Sequence, residues 1–112
     1  MEKKCRFSYS DIEDSLAISC REENENVRES FMLDDVIISL TGKGKIVGLQ
    51  IKNFSNMLSD YSIEQDILKN IKEISLIVVP RENSLFIGLK IIANREIKIS
   101  LGRIFMPQLL AK

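Results

Sequence analysis

Residues 36–51 read VIISLTGKGKIVGLQI, two apolar runs joined by Thr41-Gly42-Lys43-Gly44-Lys45. Glycines in so short a joint supply the backbone angles of a tight reversal, and the lysines keep it in water. On the outgoing arm Val36, Ile38 and Leu40 fall on one face; on the return arm Val47, Leu49 and Ile51 do. A period of two built from β-branched residues predicts a hairpin buried on one side, and its length makes it the expected centre of a sheet.

The flanking sequence extends the pattern. Cys5, Phe7 and Tyr9 alternate with polar neighbours, as do Leu16, Ile18 and Cys20, across the acidic turn Asp11-Ile12-Glu13-Asp14. With those four residues as the loop, Tyr9 faces Leu16, Phe7 faces Ile18 and Cys5 faces Cys20. Cross-strand cysteines in this register are placed either for a disulfide or as two small core thiols, and a reducing compartment favours thiols. The polar connector 21–26 leads to a third strand over 27–33, with Val27, Phe31 and Leu33 inward and Glu29 interrupting their row.

After Ile51 the period changes. Phe54, Met57 and Leu58 predict a short turn of helix. Ser62 and Gln65 have capping-box spacing, and Ile63, Ile67, Leu68 and Ile71 then recur at three- and four-residue steps. The pattern predicts one amphipathic helix over about 62–72. Alternation returns over 74–101, interrupted by turns at Pro80–Ser84 and Asn94-Arg95. The tail 104–110 holds Ile104, Phe105, Met106, Leu109 and Leu110, an apolar set that needs cover and is the candidate interface. The expected architecture is one α+β domain over 1–112: an antiparallel sheet of seven or eight strands in a meander of hairpins (5–51, then 74–101), with one helix on a face.

Composition narrows the function. Sixteen basic and sixteen acidic residues leave a formal charge of zero, so no whole-molecule field draws the chain to nucleic acid or anionic membrane. No apolar stretch suggests a leader or a membrane span, and the expected location is cytoplasmic. Histidine is absent, which removes the usual neutral-pH base and the commonest metal ligand. No catalytic residues, cofactor or metal ligands are expected. Asp11, Glu13, Asp14, Asp34 and Asp35 sit at turns, where acids are common for solvation alone. Lys43, Lys45, Lys52, Lys90, Arg95, Lys98 and Arg103 could line a phosphate-binding face, but without the interleaved aromatics of a single-strand binder.

Tyr9, Asp14, Leu16 and Ile18, then 35–38 (DVII), then 44–51 (GKIVGLQI) with Ser55 and Leu58, resemble the family known as domain of unknown function 2283. The resemblance covers roughly residues 7–58; Ser10 and Gln50 stand where the family tends to carry Asp and Glu. It implies a β-rich fold without established activity. It also implies an antitoxin-like role beside a small protein partner, as is thought of some relatives. The sequence thus favours a non-enzymatic protein acting by self-association or through a small protein partner, with a nucleic-acid-binding module as the alternative.

Overall fold

A computed structural model describes residues 2–105. Its strands are β1 (Glu2–Ser10), β2 (Ser15–Ser19), β3 (Glu29–Leu33), β4 (Val36–Leu40), β5 (Ile46–Lys52), β6 (Glu73–Arg81), β7 (Ser84–Ile92) and β8 (Glu96–Phe105). Between β5 and β6 lie a short helix, α1 (Phe54–Asp60), and a 3₁₀ turn, Gln65–Lys69. The strands form one antiparallel sheet in the order β3-β4-β5-β2-β1-β6-β7-β8. The expected α+β class and strand number hold.

Two expectations about connectivity need correction. The β4–β5 hairpin forms as predicted, but it lies towards one end of the sheet, whose middle is β2 and β1. Nor is the first half a simple meander: β2 pairs with β5, Leu16 opposite Ile51 and Ile18 opposite Leu49. The connector 20–28 therefore makes a Greek-key crossing. Its ends are fixed by Cys20 N–H donating to the Val47 carbonyl and Arg28 N–H to the Leu40 carbonyl, both at 2.8 Å.

Strand β1 joins the two halves of the sheet. Residues Arg6–Ser10 pair with β2, whereas Glu2–Cys5 pair with β6, Cys5 opposite Ile74. Pro80 is part of β6, and the turn is only Glu82-Asn83. Among the described residues β1 reaches no further along β6 than Ile77, so Pro80 has no second neighbour and its missing amide breaks no ladder bond.

The α-helix also lies earlier than the capping-box pattern predicts. Ser62, read as an N-cap, instead ends α1. It takes a left-handed φ of 58°, its N–H donates to the Ser59 carbonyl at 2.9 Å, and the Ile63 N–H to the Leu58 carbonyl at 2.8 Å. These are the two bonds of a Schellman motif, with the buried pair Leu58 and Ile63 as its apolar contact. Gln65 turns back to α1, donating to the Ser55 carbonyl and the Ser59 hydroxyl. Phe54, Leu58, Ile63 and Ile67 join the sheet's core, so the helical segment fills the concave side. Full burial of Phe54 and Leu58 contributes about 1.5–3 kcal/mol each.

Candidate functional site

The helical segment is anchored by one carboxylate. Asp14, at a left-handed φ of 51°, closes the first hairpin and accepts three hydrogen bonds. They come from the Tyr9 hydroxyl at 2.6 Å, the Ser55 N–H at 3.0 Å and the Ser55 hydroxyl at 2.5 Å. Its backbone carbonyl accepts the Phe54 N–H at 3.1 Å. Asn53 makes no side-chain cap, so Asp14 satisfies the opening amides of α1 from another part of the chain. Burial pushes the Asp14 carboxyl up, but the bonds from Ser55 and Tyr9 outweigh it and hold it below its ordinary value of 3.8. The Tyr9 hydroxyl is pushed up to about 12, first by donating to Asp14, then by burial and the nearby carboxylates Asp14 and Asp11. The knot orients the helix.

The other sequence candidates fall in separate places. Cys5 and Cys20 are joined, with Cα atoms 4.7 Å apart, where β1 passes from β2 to β6. Asp35 accepts from the Asn53 side chain. Among the described residues no three His, Cys, Asp or Glu side chains come together to hold a metal. Lys43 and Lys45 border an open cleft of about 470 Å³ with Asn24, Glu25, Arg28 and Thr41. Lys45 there pairs with Glu25 at 2.7 Å. Lys90, Lys98 and Arg103 lie in the β7–β8 half, Lys90 paired with Glu2, so the basic residues do not form one face. Ile104 is fully buried opposite Leu85, while Phe105 is exposed beside Ser84. Met106, Leu109 and Leu110 lie outside the described residues. No helix among the described residues is long and apolar enough to cross a membrane.

What the sequence reading missed is the contrast between the two sheet edges, β3 and β8. Edge strands invite pairing unless charge, bulge or cover prevents it. β8 has all three. Glu96, Lys98 and Arg103 are exposed on it, its register shifts opposite Ile87/Gly88, and the Tyr61 hydroxyl covers the Ser100 carbonyl at 2.5 Å. Gly102 in the bulge takes a φ of 115°. β3 reads Glu29-Ser30-Phe31-Met32-Leu33, without lysine, proline or a register shift. Ser30 and Met32 point outward, Met32 61% exposed. Leu33, at the end of β3, approaches Gly102 of β8 through its side chain, so the curl nearly brings the two edges together there.

The fold and this surface define a curled antiparallel α+β domain whose β8 edge is bulged, charged and covered, while β3 carries Glu29 as its one charge and leaves Ser30 and Met32 exposed. Residues 6–55 match the family described as Protein of unknown function (DUF2283), the family the sequence resembles. The matched segment holds the five-stranded half and the whole Tyr9–Asp14–Ser55 knot. No curated protein and no solved structure matches the chain.

Proposed function

We propose that the protein is a non-enzymatic association module that recruits a protein through the outer edge of β3. The observation that carries this reading is the bare Ser30-Phe31-Met32 edge set against the bulged, charged and covered β8. Strand addition supplies main-chain hydrogen bonds, and the exposed Met32 supplies apolar contact. The absence of histidine supports association over catalysis. The occupant is a second copy or a small protein partner of the antitoxin-like kind; the proposed setting is the cytoplasm, where the Cys5–Cys20 bond must resist a reducing pool.

A photo-crosslinking residue at Ser30, exposed on β3, tests the reading in cell extract. Protein adducts are expected with the natural edge and are expected to vanish when Met32→Lys is added. Adducts that persist in the lysine variant, or none in either, would overturn it. The cleft of Arg28, Lys43 and Lys45 favours a second reading, a nucleic-acid phosphate held by cations. Binding to arbitrary DNA or RNA that weakens steeply with salt would support it.

A further inference from the structure

We infer that the cleft between the connector 20–28 and the β4–β5 loop binds a small, polar phosphomonoester by its phosphate group. The inference rests on that cleft being a phosphate site, as the second reading does, and narrows the ligand; it is independent of the β3 edge. The loop is shaped by its own bonds. The buried Thr41 hydroxyl accepts the N–H groups of Lys43 at 3.3 Å and Lys45 at 3.2 Å, and the Gly44 N–H donates to the Thr41 carbonyl at 3.0 Å. Glu25 ties the connector to this loop. One of its carboxylate oxygens accepts the Glu22 N–H at 2.8 Å and the other accepts from Lys45 Nζ at 2.7 Å. Glu25 is the one acid among the described lining residues, and both of its oxygens are engaged. Arg28 and Lys43 are exposed, and neither makes an ion pair among the described residues. With Lys45 offset by Glu25, Arg28 and Lys43 leave the cleft positive on a chain whose net charge is zero.

Gly42 makes room for the arginine. A Cβ at position 42 would lie 3.2 Å from Arg28 Cγ, inside the roughly 3.5–4.0 Å at which carbon atoms pack. Unlike Gly44, Gly42 does not take a positive φ, so what its missing side chain supplies is space for the Arg28 stem. Near neutral pH a phosphomonoester carries roughly −1.5 to −2 charges, which Arg28 and Lys43 together match. The guanidinium takes two phosphate oxygens in a fork, and the lysine acts as a point charge. A nucleic-acid backbone would need further cations along its path, whereas Lys90, Lys98 and Arg103 lie in the β7–β8 half. No aromatic side chain is among the described lining residues, so no base is stacked there. Asn24 and Asn26 border the cleft with amides that suit a polar ligand body, and about 470 Å³ is room for a small molecule.

The test is an amide-resolved NMR titration of the full chain with inorganic phosphate, at constant ionic strength balanced by chloride. Saturable shifts are expected at residues 24–28 and 41–45. Arg28→Lys keeps the charge and loses the fork, and is expected to weaken binding about tenfold. Gly42→Ala keeps every charge and takes the room of the Arg28 stem, and is expected to weaken binding about threefold with the melting temperature unchanged. Lys98→Ala, at an exposed site on β8, is expected to change nothing. A short single-stranded RNA forms the second arm and is expected to bind no more tightly than inorganic phosphate. Shifts spread over the lysines of both halves, or indifference to either cleft variant, overturn the site. Tighter binding of RNA than of phosphate overturns the small ligand and keeps the second reading, whereas no saturable shift with either probe overturns both.

Discussion

Asp14 and Ser55 are 41 residues apart in sequence, yet the serine gives the aspartate both its N–H, at 3.0 Å, and its hydroxyl, at 2.5 Å. Through this pair the first hairpin holds the start of α1, and α1 in turn places Tyr61 over the β8 edge. The contrast between the two edges therefore depends on the knot.

Asp14→Asn should destabilise the fold by about 1–2 kcal/mol, since hydrogen bonds to a charged acceptor exceed neutral ones. Asparagine tolerates the left-handed backbone, so urea midpoints isolate the charge effect. A carboxyl held below its ordinary 3.8 gives stability that is complete above that value and is lost as pH falls through the folded value. Acid unfolding of the asparagine variant should accordingly show a shallower limb, and an unchanged limb would count against the knot.

The tyrosine answers at the other end of the scale. With its hydroxyl pushed from 10.0 to about 12, the folded state holds the proton more tightly than the unfolded chain. Its contribution is complete below pH 10 and drains away as pH rises through 12. The chain has two tyrosines and no tryptophan, so Tyr61→Phe leaves one phenolate absorbance to follow. Ionisation near 10 in the folded protein would contradict the Tyr9–Asp14 bond.

Cys5 and Cys20 close a loop of sequence separation 15. Chain-entropy arguments put the stabilisation from such a crosslink at about 3 kcal/mol. Oxidised protein should show no reactive thiols when unfolded, and reduction should lower the denaturant midpoint accordingly. Two reactive thiols in protein purified without reductant would instead favour the reduced core pair.

Tyr61→Phe should cost about 1 kcal/mol by removing the donor to the Ser100 carbonyl. It should also quicken hydrogen exchange along β8 more than along β3, measured amide by amide. Equal change on both edges would mean that the hydroxyl does not cover β8.

The first hairpin was legible because a four-residue turn and strict alternation fix its register, and Tyr9–Leu16 and Phe7–Ile18 pair as read. The β2–β5 pairing was not, since any two alternating strands present equivalent edges until long-range packing chooses between them. Ser62 shows the limit most clearly. Its spacing to Gln65 suits a helix start, but burial of Leu58 and Ile63 together makes it a helix end. Asp14 looked like one turn acid among five, because its partner Ser55 lies beyond four further strands. The bare edge was hidden for a related reason: Ser30-Phe31-Met32 reads as an ordinary strand until the sheet order leaves it outermost.

Recruitment through the outer edge of β3 is tested most directly by comparing the two edges with the same photo-crosslinking residue in cell extract. Placed at Ser30 of β3 it should give protein adducts, whereas placed at the exposed Lys98 of β8 it should give none. Equal adducts from both positions, or none from Ser30, would contradict the account.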